Sequence, residues 1–152
     1  MSAAGRSLTS DEVALARTIF GAEIEYGRVQ IIKRKWAFFQ PRETVMAPRG
    51  NIHFHPEGCR YCADFALAER EAQGLFIHEM THVWQHQQGI FLPLRRLPFA
   101  RYDYAISADK PFARYGIEQQ AEIVRHAFLL RLGVRLEERP PLARYEQLLP
   151  FR

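Results

Sequence analysis

Three stretches of the chain carry apolar residues at helical spacing, and each is bracketed by residues that start or stop helices. Val13, Leu15, Ala16, Ile19 and Phe20 follow Thr9-Ser10-Asp11-Glu12, where Glu12 three residues after Thr9 completes a capping box, so a first helix is predicted over Ser10 to Phe20. A long helix is predicted from Glu69 to Gln88, with Gly89 in the C′ position and Pro93 beyond it. Another runs from Tyr115 to Leu132 and stops at Gly133. Its stripe of Ile117, Ala121, Val124 and Phe128 is widened by Ile123, Ala127 and Leu130, the mark of a mostly buried helix. Val29, Ile31 and Ile32 ahead of a basic run predict a short strand. Asn51-Ile52-His53-Phe54-His55, stopped by Pro56 and Gly58, predicts a second. From Ile90 to Pro111 three prolines and several aromatics follow no period, which predicts an irregular packed connection. The tail with Pro140-Pro141 and Pro150 reads as extended or wrapped on the surface.

Composition adds bounds to this pattern. A chain of 152 residues with 47% apolar content, eleven Phe, six Tyr and two Trp is expected to form one globular domain over 1–152 with a sizeable core. Trp36, Phe38, Phe39 and Trp84 are expected inside that core. No apolar run reaches the roughly eighteen residues of a membrane span, and the opening MSAAGRSLTSDEVA lacks the apolar stretch of a signal peptide. The expectation is a cytoplasmic protein without a membrane partner, with export by a specialised system left open. The net charge of +4, from 21 Lys+Arg against 17 Asp+Glu, is dispersed apart from Lys33-Arg34-Lys35, so no nucleic-acid partner is expected.

The chemistry concentrates in FIHEMTHVWQHQQG, Phe76 to Gly89. Residues four apart project from one side of a helix, so His78 and His82 can aim at one point. Zinc accepts neutral imidazole nitrogens at about 2.0–2.1 Å and prefers four ligands, so this pair supplies half a shell. Glu79, about 100° around the helix, can reach a metal-activated water as its general base without being a ligand. The pattern His-Glu-x-x-His arises by chance in roughly one sequence of this composition in fifty, so its context must decide. That context is YGIEQQAEIVRHAF, where Glu118 and Glu122 lie one turn apart on the border of a buried face and call for a partner. Glu118 as third ligand, with Glu122 accepting from the far nitrogen of a ligand histidine, would satisfy both.

These motifs resemble the gluzincin arrangement of thermolysin-like metallopeptidases, whose second motif is Glu-x-x-(Ser/Ala)-Asp, and the minimal peptidase-like domains in core proteins of bacterial contractile injection systems. IHEMTHVWQHQQG together with GNIHFHP and IEQQAEIVRHAF is more closely similar to short bacterial proteins labelled Vgr-related, or Rhs-element Vgr proteins. The match spans about Gly50 to Leu130. The resemblance implies His78, His82 and Glu118 as zinc ligands and Glu79 as the base. Glu122 stands where thermolysin-like enzymes carry Asp. The expected fold is α+β, a compact minimal zincin-like domain with a small β-sheet packed on the HExxH helix and a second glutamate-bearing helix. The expected function is Zn2+-dependent hydrolysis of a peptide or protein substrate. The alternative is a non-enzymatic, zinc-stabilised adaptor or structural component of Vgr, Rhs or contractile injection machinery.

Other groups compete for roles. His86 continues the histidine face, but its attachment point lies about 12 Å along the axis from that of His78, too far to converge with it. His126 and Tyr115 are expected as possible donors to the transition state, with Tyr102 and Tyr104 also in reach of that role. His53, His55, Cys59 and Cys62 could hold a second, structural zinc, but their spacing fits no common finger and ordinary side chains are the simpler reading. Asn51 to His55 is the expected strand edge for an extended substrate.

Overall fold

The computed structural model describes residues 5–90 and 101–151. The chain is α+β. Its elements are β1 (Gly5–Ser7), α1 (Ser10–Phe20), β2 (Gln30–Ile32), β3 (Ile52–His53), α2 (Arg70–Gln87), α3 (Ile117–Arg131) and α4 (Leu142–Leu148), with single 3-10 turns at Tyr26–Arg28, Phe65–Leu67 and Phe112–Arg114. The sheet has the order β1-β2-β3, antiparallel between β1 and β2 with Gly5 opposite Ile32, and parallel between β2 and β3 with Ile31 opposite Ile52.

The first helix begins where its capping box requires. Thr9 Oγ1 accepts from the Glu12 amide at 3.0 Å, and Glu12 Oε1 accepts from the Thr9 amide at 2.9 Å. Glu12 is also wholly buried. Arg6 of β1 clamps it through two nitrogens at 2.8 and 3.0 Å, and the Phe65 amide donates to its other oxygen at 2.8 Å. Burial alone would raise the Glu12 carboxyl, but these donors hold it below the usual range. Arg6 further donates to the Cys62 carbonyl and the Tyr61 hydroxyl, so one buried ion pair ties β1, α1 and the segment 61–65 together.

Both long helices stop in Schellman motifs. Gly89, at φ 89°, donates to the His86 carbonyl while Ile90 donates to Gln85; Gly133, at φ 84°, donates to Leu130 while Val134 donates to Leu129. The helices α2 and α3 pack against each other more extensively than any other two elements. Phe76, Ile77, Met80 and Val83 meet Ile123, Val124, Ala127 and Phe128 in the core, and Phe54, Phe65 and Phe76 stack in series at 5.5 and 5.4 Å. Gly74 sits inside α2, where glycine costs about 1 kcal/mol relative to alanine. A Cβ there would approach Arg125 Nε to 3.2 Å, so the glycine lets the arginine stem cross the helix.

Several expectations are corrected. The tail is not extended throughout: Pro141 precedes α4, which buries Tyr145, and Leu149 is buried just beyond it. Proline serves well at a helix start, so the pair that reads as a breaker is an entry signal. Strand β1 carries no alternating apolar pattern and is held by Arg6. Phe38 and Phe39 are 88% and 60% exposed, and Trp36 is half-buried, so this aromatic run is not core; Trp84 packs partly buried on Phe112 and Phe151. Of the predicted irregular connection, residues 91–100 lie outside the described residues. No helix among the described residues is long and apolar enough to cross a membrane.

Candidate metal centre

Every residue of α2 from Phe76 to Val83 is buried, so this stretch is enclosed all round rather than on one face. Polar side chains in it therefore have to find partners inside the protein. The two histidines find carboxylate partners on α3. His82 Nε2 lies 2.8 Å from Glu118 Oε1, and His78 Nε2 lies 3.2 Å from the same oxygen. The three ligand atoms of His78, His82 and Glu118 all fall within 4.8 Å of one another. All three residues are 8% exposed or less. Glu79 Oε2 stands 4.0 Å from His78 Nε2.

The outward nitrogens determine what the inward ones offer. His78 Nδ1 is 2.8 Å from Glu122 Oε2; an ionised carboxylate can only accept, so Nδ1 carries the proton. For His82 the orientation comes through two amides. Gln120 Nε2 donates to the Phe112 and Tyr115 carbonyls, which leaves its Oε1 to accept from Gln85 Nε2 at 2.9 Å. Gln85 Nε2 also donates to the Ile117 carbonyl, so its Oε1 faces His82 Nδ1 at 2.8 Å and accepts a hydrogen bond from its N–H. Backbone carbonyls thus set a relay that commits His82 Nδ1 to Gln85 and turns Nε2 toward Glu118 and the candidate site.

Two lone pairs and a carboxylate oxygen aimed at one point repel unless a positive charge lies between them. His78 shows that demand directly. Burial would lower its pKa, but the carboxylates of Glu118 and Glu122, with Glu79 nearby, push it up to about 10. In turn the histidines hold Glu118 far below the usual carboxylate range against its burial, and His78 holds Glu122 at about 2. A proton meets the demand, and so does a divalent ion with nitrogen and oxygen ligands. Ligand atoms about 2.0–2.1 Å from a tetrahedral zinc sit roughly 3.3 Å apart, and Glu118 Oε1 stands 3.2 Å from His78 Nε2 and 2.8 Å from His82 Nε2, a spacing that a small shift of side chains would match. The donor set therefore fits zinc.

An open cleft of about 810 Å³ lies over these residues. His78, Glu79, His82 and Glu118 all line it, as does Tyr102, whose ring stacks on His78 at 6.1 Å and 17°. Glu43, Thr44 and Val45 also line the cleft, and the adjoining Met46 pairs antiparallel with His53. That pairing corrects the expected substrate edge. His53 exchanges hydrogen bonds with Met46 on one side, and Phe54 donates to Ile32 on the other, so the backbone of Asn51 to His55 is engaged there. The chain before Met46 reaches the cleft in its place.

The structure brings His78, Glu79, His82, Glu118 and Glu122 together and leaves two other expected residues out. Among the described residues, Tyr115 and His126 do not line the cleft. The Tyr115 hydroxyl donates to the Ala105 carbonyl and accepts from the Ser107 amide. His126 Nδ1 bonds the Tyr104 hydroxyl, which bonds Tyr145 in turn at 2.6 Å; burial lowers its pKa to about 4. His86 packs against Gly50. The second cluster is dispersed: His53 bonds the Arg34 carbonyl, His55 accepts from the Glu57 amide, and Cys59 donates to Glu43, so these residues form no ligand group among the described residues. Sequence reasoning missed Gln85, although it lies one turn from His82 on the same helix, and Gln120; the direction of the Gln85 amide depends on contacts 32 and 35 residues apart in the chain.

No family model matches the chain. Over 134 residues, 83% of the chain, it is 42% identical to the type VI secretion system spike protein VgrG2b of Pseudomonas aeruginosa, and it spans 13% of that protein's length. It is also similar to a solved structure, the effector domain of Pseudomonas aeruginosa VgrG2b, with a TM-score of 0.78 and 41% identity, covering 85% of this chain and 76% of that one.

Proposed function

The chain belongs to the Vgr-related family that includes the effector domain of VgrG2b, and from that premise we propose that it is a zinc-dependent peptide-bond hydrolase working with Vgr-type secretion machinery. The observation that carries the hydrolytic reading is the convergence of His78, His82 and Glu118 beneath an open cleft, with Glu79 beside them. Zinc held by those three residues would supply Lewis acidity toward a substrate carbonyl and toward an attacking water. Glu79 takes the proton from that water as it attacks, and returns it to the leaving amine. Glu122 and the Gln120–Gln85 relay keep both imidazoles facing inward throughout, so no ligand has to reorganise during the reaction. Tyr102, stacked on His78 at the cleft, is the tyrosine positioned to donate to a developing oxyanion.

A second reading keeps the metal and drops the chemistry: a zinc-stabilised, non-enzymatic part of a spike assembly. The similar proteins support this reading more directly than the first, since their names speak of a spike and an effector domain and not of peptide hydrolysis. Delivery with secretion machinery is common to both and would replace the cytoplasmic location expected from the N-terminal residues. Metal analysis combined with Glu79→Gln separates them. Stoichiometric zinc in both proteins, with cleavage of an unfolded protein substrate only by the unaltered one, supports hydrolysis. Zinc in both with no cleavage by either supports the structural reading.

A further inference from the structure

The informative surface of the remaining molecule is the segment after β2, which reads Lys33-Arg34-Lys35-Trp36-Ala37-Phe38-Phe39. Lys33, Arg34 and Lys35 are exposed, and Phe38 and Phe39 stand out at 88% and 60% exposure. The other large apolar side chains exposed among the described residues are Leu67, Tyr102 and Leu132, and the first two of these line the cleft. Phe38 and Phe39 do not line it. They lie edge to face, centroids 5.4 Å apart and planes at 84°, so they bury little except each other.

The loop that carries them is built, not slack. Gln40, 3% exposed, accepts from the Trp36 amide through Oε1 at 2.8 Å and donates through Nε2 to the Thr44 and His53 carbonyls. Its own amide closes a turn onto the Ala37 carbonyl. On the other side the Arg34 carbonyl meets His53 Nδ1 at 3.3 Å. A buried amide thus holds two phenylalanines out in water beside three consecutive cations, an arrangement that lowers the ordering cost of any partner they meet.

We propose that this loop docks the protein onto an anionic lipid surface, with Phe38 and Phe39 entering the headgroup–acyl boundary and Lys33, Arg34 and Lys35 on the lipid phosphates. The chemistry selects this partner over others. Apolar tips flanked by a short cationic run match a surface that is negative outside and apolar just beneath. A second copy of the chain would set three cations against three cations. Single-stranded nucleic acid stacks on ring faces along a basic groove, whereas here the rings cross at 84° and the cations form one three-residue run. The contact is peripheral, in keeping with the lack of any membrane-crossing helix among the described residues. From Gln40 the chain passes to Glu43–Val45, which line the cleft, so docking would bring the cleft toward the lipid. The inference does not depend on hydrolysis.

The test is co-sedimentation of the full chain with phosphatidylglycerol–phosphatidylcholine vesicles and with phosphatidylcholine vesicles alone. Binding to the anionic vesicles is expected, falling with added salt. It is expected to weaken about tenfold or more in Phe38→Ser/Phe39→Ser and in Lys33→Ser/Arg34→Ser/Lys35→Ser. Unchanged thermal melts exclude misfolding, which the exposure of all five positions makes a fair control. The proposal is overturned if the unaltered protein ignores anionic vesicles or if either triple or double variant binds as well as it does. Tighter binding to single-stranded DNA than to vesicles, or Phe38-dependent self-association without lipid, also overturns it.

Discussion

The cleft floor and the loop at 33–39 invert the usual rule of burial in opposite senses. At the floor, His78, Glu79, His82, Gln85, Glu118 and Gln120 lie at 8% exposure or less; in the loop, phenylalanines stand in water. Both departures cost stability, since a buried polar group needs every partner and an exposed ring orders the water around it. Each is held in place by a glutamine whose own amide is pinned by backbone carbonyls: Gln85, with Gln120 behind it, under His82, and Gln40 under Trp36. A primary amide can accept at one end and donate at the other, so once carbonyls claim the NH2 the oxygen's direction is settled. The same device orients a metal ligand in one region and presents an aromatic tip in the other.

The sharpest break between the regions is catalytic. Glu79→Gln is expected to reduce peptide hydrolysis by roughly a hundredfold to ten-thousandfold while zinc content stays near one per chain, whereas Phe38→Ser leaves turnover on a soluble substrate unchanged. Activity assays with metal analysis on both variants measure this, and equal activities would remove Glu79 from its role. Next in size is the amide relay. Gln85→Leu leaves the Ile117 carbonyl and His82 Nδ1 without their partner, so zinc affinity should fall about 10–100-fold in competition with a chromophoric chelator. If Gln85→Leu binds zinc as tightly as the unaltered chain, the relay plays no part in setting the ligand.

Smaller is the pH dependence of the metal-free protein. His78 is raised from 6.5 to about 10, so its stabilisation is complete below pH 6.5 and lost as pH climbs toward 10. His126 is lowered from 6.5 to about 4, so its contribution is complete above pH 6.5 and lost as pH falls toward 4. Glu122, lowered from 4.5 to about 2, adds to the acid-side loss below pH 4.5. Thermal melts in chelator should therefore peak near pH 6.5. Zinc should flatten the alkaline decline, because ligation takes the bare Nε2 that the proton otherwise occupies. Smallest is the effect of the loop on folding: Phe38→Ser should move stability by no more than about 0.5 kcal/mol in a denaturant melt, the range of surface changes. A larger loss would mean that the ring packs against something and is not a free tip.

Interactions that close within a few residues were legible along the chain. The capping box of α1, the glycine stops of α2 and α3, and the shared side of His78 and His82 follow from helix geometry, which is the same in every protein. Glu118 could be read as a partner because a carboxylate on the border of an apolar stripe is costly alone. Beyond that, tertiary structure decided. It turned the Gln85 amide oxygen toward His82 by engaging its NH2 with Ile117 and Gln120, turned Tyr115 and His126 away from the cleft, gave the cleft wall to Glu43–Val45, and left Phe38 and Phe39 outside the core. The physical reason is that hydrogen-bond direction and burial belong to a side chain's surroundings. Those surroundings are assembled from segments tens of residues apart, and composition and spacing along one segment carry no record of them.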